Sequence, residues 1–387
     1  MILKNKKLLI KDTILCTLLS FILVALFSLF VVNMSFFNPF VKAIKDFSLL
    51  DVYYAENFGN NNTINTDIIL VNIEHRDRFE ISQLLEEVIN NHPKVVAVDM
   101  IFKAEKDAFS DSLLANSLQN EKIIQAYIID SESNMYNHQK FRNNNEGFVN
   151  LNFENQESVI REFSGVHNKE HVSWNVKVAK QALGDSLWKK RNYNRQLKNN
   201  TTIKYHGNYE SFLYFSFEEF MQNSNKEIIK DKIVLLGYLG DPTGNIFDVE
   251  DKHFTPLNKV TAGKSIPDMF GLVVHANIIN MFVNNDFLFR ISNFWIGFIT
   301  LICNFFLIMC FLILDKKDKL GARTKRKGIV FIFTILITGI SLWLFNLGII
   351  LKVVPIIAIT VFSAGVVKYY KHLIKFIQTK TTWKSYI

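Results

Sequence analysis

The sequence predicts an α/β domain with a mainly parallel sheet, joined to four membrane-spanning α-helices, one before it and three after. Three observations predict this. Apolar runs long enough to cross a bilayer lie only at the two ends of the chain. Between them, short apolar strands alternate with helical patterns, as in a parallel sheet covered by helices. The charge is also partitioned: the segments flanking the apolar runs are basic and the long middle is acidic.

The 387 residues are 49% hydrophobic and 21% charged, with a mean hydropathy of +0.12. That excludes a disordered chain, which needs low hydrophobicity. Three cysteines, at 16, 303 and 310, exclude a disulfide scaffold, and none lies in the middle segment.

Residues 13–32 and 294–314 carry no charge, and residues 328–367 carry one, Lys352. A helix needs about 20 apolar residues to span the hydrocarbon core, so the last stretch is two spans broken at Asn346-Leu347-Gly348. We assign spans to 13–32, 294–314, 328–345 and 349–367. The first run is too long for a cleaved signal peptide and is followed by no small-x-small site. Cys16 lacks the small residues a lipoprotein site needs before it. Thr334, Thr338 and Ser341, with Ser363, Ala364 and Gly365, are small enough for close helix contact. Cys303 and Cys310 read as packing residues. Lys352, just past the turn, reads as snorkelling to the outer interface.

Residues 1–12 carry net +3, the loop 315–327 carries +5 and the tail 368–387 carries +5; residues 33–293 are left at −6. By the positive-inside tendency, the N-terminus, the 315–327 loop and the tail are cytoplasmic and residues 33–293 are extracytoplasmic. The expected location is a bacterial inner (plasma) membrane. The basic balance is a topology signal and implies no nucleic-acid partner. The four basic residues within 323–327 fix topology and touch anionic lipid, or dock a protein partner.

Within the middle segment, residues 68–73, 95–98 and 123–129 read as strands, and 79–91 and 109–119 as helices. Residues 131–147 read as an Asn-rich loop and 171–183 as an amphipathic helix; 185–226 have no clear order. A strand at 232–237 runs into a Gly-containing loop, and a helix at 271–284 leads to the second span. No internal repeat is present. Asn61, not Asn62, stands in a glycosylation acceptor position.

The ordered segments "DIILVNIEHRD" (67–77), "PKVVAVDMIF" (93–102), "GFVNLNF" (147–153), "VIREF" (159–163), "SWNVKVAKQAL" (173–183), "KIVLLGY" (232–238), "DKHFTP" (251–256) and "GLVVHANIINMFVNNDFL" (271–288) resemble the type-two CHASE domain, the cyclases/histidine kinases associated sensory extracellular domain. The resemblance covers about residues 45–290. The positions that carry it best are Asp99, Phe102, Thr255, Pro256, His275 and Asn277. It implies an extracytoplasmic sensor and supplies no ligand. Two departures stand out: about twenty residues follow the last span where members usually carry an output domain, and Ile266-Pro267-Asp268-Met269-Phe270-Gly271 replaces the usual Met-Pro-Gly.

The chemistry weighed beside it is thin. Gly263-Lys264-Ser265 ends like a P-loop, but Asn258 stands where the motif needs Gly. Gly237, Gly240 and Gly244 after a strand read as turn formers, with an anion nest as the minor reading. Asp248, Asp251, His253 and His275 match no established metal spacing, so no metal and no cofactor is expected. No Ser or Cys stands beside a base, so no enzyme is expected. Ligand crevices of parallel sheets lie beyond strand C-terminal ends. Glu74 and Asp99, with Asp251, His253, Thr255 and His275, therefore form the expected ligand site.

The expected function is detection of a small extracytoplasmic ligand. The signal then leaves through a cytoplasmic effector in trans or through rearrangement of a homodimer. A non-sensing envelope scaffold, or an accessory subunit of a membrane complex, is the alternative.

Overall fold

A computed structural model describes residues 2–33, 51, 53–54, 63–151, 159–198, 200–223, 226–241, 248–258, 266–317 and 321–387. Asn61, Asn62, Gly244 and the 263–265 triplet lie outside these. In chain order the principal elements are α1 (Ile2–Asn33), β1 (Asn65–Asn72), α2 (Arg78–Asn90), β2 (Val95–Val98), α3 (Ala108–Leu118), β3 (Ile123–Tyr127) and β4 (Glu146–Phe148). There follow α4 (Trp174–Arg191), β5 (Phe212–Phe215), α5 (Phe217–Gln222), β6 (Ile233–Gly237) and α6 (Gly271–Asn284). The last three are α7 (Asn293–Lys317), α8 (Ala322–Asn346) and α9 (Val354–Lys380). They divide into two units, Asp46–Leu288 and Met1–Lys45 with Phe289–Ile387.

The first unit is built on a six-stranded sheet ordered β4-β3-β2-β6-β1-β5, with every neighbouring pair parallel. Strand side chains alternate between faces, and here both faces are apolar, as a sheet covered on both sides requires. Ile69, Val71, Val96, Val98, Val234 and Leu236 meet Ile81, Leu84, Leu85 and Val88 of α2, Leu114 and Leu118 of α3, and Phe217 and Phe220 of α5. On the other face Ile68, Leu70, Val95, Ala97, Ile233 and Leu235 are buried beneath α4 and α6. Burying each of these Val, Leu, Ile and Phe side chains contributes about 1.5–3 kcal/mol.

Local chemistry sets the helix starts. Asp77 and Glu80 form a capping box at α2. Arg78 reaches Asp111 and ties α2 to α3. The Trp174 indole N–H donates to Ile124 O at 3.1 Å and seats α4 on β3.

The sheet corrects the sequence reading in three places. Residues 146–147, read as loop, begin strand β4. The unordered stretch 185–226 holds the end of α4 and also β5 and α5. Residues 171–172, read as helical, pair instead as a short strand with 166–167, and α4 begins at Trp174.

The second unit contains four helices long and apolar enough to cross a membrane, α1, α7, α8 and α9. Cys16, Ile308, Phe311, Leu312, Val367, Tyr370 and Ile374 form the core between α1, α7 and α9. At one end of this bundle Phe289–Arg290 pairs with Ile349–Ile350, beside the turn at Gly348 (φ +75). There Lys352 Nζ donates to Asn293 Oδ1 at 3.3 Å. At the other end Asp315 is buried with Lys371 at 2.7 Å and Arg326 at 3.4 Å, joining α7, α8 and α9.

Candidate functional site

The connections after β1 and β2 lead to α2 and α3 on one face of the sheet, while the connection after β6 leads to α6 on the other. The strand ends around β6 are therefore where the chain diverges, the place where open parallel sheets form a crevice.

Asp99 follows β2 there. Its backbone N–H donates to Leu236 O at 2.8 Å, and its Cβ lies 3.3 Å from where a Cβ on Gly237 would sit. The residue is half-buried. Among the described residues no hydrogen bond or ion pair is made by its carboxylate. Desolvation, and secondly the charge of Asp251, pushes this carboxyl up to about 7.

Asp251 belongs to the loop between β6 and α6 and has a left-handed backbone (φ +52). Its carbonyl accepts the Gly271 N–H at 2.9 Å. A Cβ on Gly271 would lie 3.0–3.1 Å from both Asp251 carboxylate oxygens. Glycine thus admits the carboxylate to the start of α6, where Phe270 supplies no side-chain cap. A negative charge at that position is favoured by the helix dipole. His253 Nε2 lies 3.8 Å from Asp251 Oδ1. Asp251 thus lies beside His253 and within electrostatic reach of Asp99.

The other expected site residues are engaged in structure. Glu74 Oε2 accepts Arg76 Nη2 at 2.8 Å, and Oε1 accepts the Phe217 N–H at 3.3 Å. Arg76 also pairs with Glu80 and Glu218. Glu74 therefore ties the starts of α2 and α5 together, on the sheet face opposite α6. Thr255 donates its N–H to Asp268 Oδ1 at 2.8 Å and its hydroxyl to Oδ2. Pro256 is buried behind it. His275 is buried, with Nδ1 3.0 Å from Asn175 Oδ1 and its ring edge-on to Trp174. Burial first, then His253, pushes His275 down to about 3, so it stays neutral at physiological pH.

Two more motif positions are also structural. Asn277 accepts the N–H groups of His206 and Gly207 and donates to Gly207 O and Val273 O, fastening the 206–207 segment to α6. Phe102 lies in the core, with its N–H on Asn137 Oδ1 at 2.8 Å.

Sequence reasoning missed three contributors. Asn72, buried at the end of β1, donates to Gly240 O and accepts the N–H of Glu74 and of Leu239, binding two loops together. Tyr238 donates to Asp248 Oδ2 at 2.9 Å, with its ring against Phe270. Asp268, whose carboxyl is raised chiefly by burial, locks Thr255. A polar residue closing an apolar strand was the available signal for Asn72, and an acid after Pro267 for Asp268. Among the described residues no group of three or more His, Cys, Asp and Glu converges as metal ligands do.

No curated protein and no solved structure matches the chain. A family model does, that of the CHASE2 domain, over residues 27–314, which include the whole sheet, Asp99, Asp251 and α6. On that match, and with the parallel α/β sheet it implies in place, the chain belongs to the CHASE2 domain family, a family of sensory extracellular domains.

Proposed function

We propose that this chain is a membrane-anchored sensor whose α/β unit binds a small ligand at Asp99, Asp251 and His253. The observation that carries the reading is Asp99: a desolvated carboxylate at the strand ends that, among the described residues, neither hydrogen bonds nor ion pairs engage. The charge of Asp251 acts on Asp99 as a like charge, and a cationic or hydrogen-bond-donating group binding beside Asp99 relieves that repulsion. Such a ligand would act through α6, whose first residue lies against Asp251. The helix ends at Asn284, a few residues before the chain enters α7 at Asn293. A ligand shifts an equilibrium only by its differential affinity for the two states, and the α6 start is where that difference would arise. In this proposal the unit lies outside a bacterial plasma membrane, both ends of the sequence are cytoplasmic, and the site binds without catalysis. The output passes to an effector protein in trans or to a second copy of the chain.

The test is a thermal-shift screen of the full chain in detergent against small organic ammonium ions. Stabilisation by a hit is expected to vanish in Asp99→Asn and to persist in His171→Gln, a change on a strand pair outside the site. If no amine shifts the transition, or Asp99→Asn responds as the parent does, the reading fails.

One observation favours the scaffold reading. Phe79 and Phe109 stack at 6.1 Å on the outer side of α2 and α3 and are exposed together with Leu113, an apolar face of the kind that receives a protein.

A further inference from the structure

The segment Thr381–Ile387 leaves α9 in extended conformation and turns back under the bundle. It holds α1 by four contacts. Lys11 Nζ donates to Lys384 O at 2.7 Å and lies 3.8 Å over the Trp383 ring. Asp12 Oδ2 accepts the Ser385 hydroxyl and the Tyr386 N–H at 2.6 Å. It holds α7 by two more: Lys316 Nζ donates to Tyr386 O at 2.7 Å and lies 3.8 Å over the Tyr386 ring. Tyr386 and Ile387 also pack on the cluster formed by Cys16, Ile308 and Phe311.

Asp12 is the centre of this arrangement. It is fully buried, and a buried carboxylate is costly unless donors satisfy it. Its three donors are the Tyr370 hydroxyl of α9 at 3.1 Å and the two groups from Ser385 and Tyr386. Two of the three therefore come from the 381–387 segment. That segment straddles α1 and α7, the helices that precede and follow the sensory unit in the chain.

The contacts differ in tolerance. Lysine side chains are long and follow a moving partner, whereas short bonds to a buried carboxylate do not. A shift of about 1–2 Å between α1 and α7, the usual size of a signalling helix displacement, would break the Asp12 bonds first.

We propose that residues 381–387 are a displaceable strap that locks α1 to α7 at the basic end of the bundle and opens when the two helices shift. The lock stands on its own contacts; its use in signalling rests on the sensory reading above.

The test is hydrogen exchange of the full chain in lipid nanodiscs, read at the Tyr386 amide. That amide is expected to be protected relative to the exposed Thr382. Lys316→Met, which leaves the buried carboxylate untouched, is expected to speed its exchange about tenfold or more, and Asp12→Asn to do the same. If Tyr386 exchanges as fast as Thr382 in the parent, or Lys316→Met leaves its rate unchanged, there is no strap. Asp99→Asn separates the two proposals. Protection lost in Lys316→Met but unmoved by Asp99→Asn, with or without a ligand found by thermal shift, keeps the lock and detaches it from the sensory site.

Discussion

Asp99, Asp251 and Glu74 are the same kind of residue in the sequence, acids at or beyond strand ends, and the fold gives them three different fates. Glu74 is consumed by Arg76 and a helix amide, Asp251 faces a helix N-terminus, and the Asp99 carboxylate, among the described residues, has no hydrogen bond or ion pair and feels the charge of Asp251. That acids sit at the crevice was legible in the sequence. Which of them goes without a partner among the described residues was not: Arg76, two residues on, could be seen beside Glu74, but the helix starts that engage Glu74 and Asp251, at Phe217 and Gly271, are placed only by the fold. Asp99 makes a pH prediction. The Asp99 carboxyl is raised from 3.8 to about 7, so the folded state holds a proton that the unfolded state has released between those values. Stability from this group is therefore fully present below about pH 4 and is lost as pH rises to about 7. We expect urea unfolding of the full chain, followed by tryptophan emission, to show a decline on the order of 2–4 kcal/mol across that window. Asp99→Asn should flatten it and be the more stable form at pH 8. An unchanged pH profile in Asp99→Asn would assign the decline to other groups.

Elements were legible where their periodicity was strong. Helix α6 spans the 271–284 predicted from its apolar pattern, and β2 spans 95–98. The edges of the sheet were not, for a physical reason. Strand β4 has three residues, Glu146-Gly147-Phe148, too few for a periodic signal, and β5 is a four-residue aromatic run, Phe212–Phe215, that its pattern alone does not separate from a helix segment. What holds β4 is a close approach. A Cβ on Gly147 would lie 2.5 Å from Trp174 Cα and 2.6 Å from its backbone nitrogen, so α4 can start against β4 only if residue 147 has no side chain. Backbone cannot give way as the tip of a flexible side chain can. We expect Gly147→Ala to cost about 2–3 kcal/mol, the upper range for overpacking, read as a lower urea midpoint with unchanged slope. A variant with the parent midpoint would show that α4 has freedom to move away from the sheet edge.

At the scale of the whole molecule, the four apolar runs were legible by length alone, and the contacts at the ends of the bundle supply what length cannot. Asp12 bonds Ser385 and Tyr386, and Asp315 pairs with Lys371 and Arg326, so the first turns of α1, the 381–387 segment, the end of α7 and the start of α8 share one end of the bundle. Phe289–Arg290 and Ile349–Ile350 pair at the opposite end. That arrangement is what an even number of crossings produces. Which end faces the cytoplasm is a question of charge. The segments gathered at the Asp12 end carry +3, +5 and +5, whereas residues 33–293 carry −6, so the proposed orientation, which rests on the retention of Lys and Arg on the cytoplasmic side, puts the Asp12 end inside. We expect an impermeant maleimide to modify Ser131→Cys in intact cells, and Thr382→Cys only after the membrane is opened, in a chain whose three native cysteines are replaced by alanine. Both positions are exposed to solvent in the structure, so accessibility within the fold does not bias the comparison. Labelling of both positions in intact cells would require an odd number of crossings and so contradict the shared end. Labelling of Thr382→Cys alone would keep the bundle and invert it, placing the acidic Asp99 crevice in the cytoplasm and removing the extracellular ligand from the proposal.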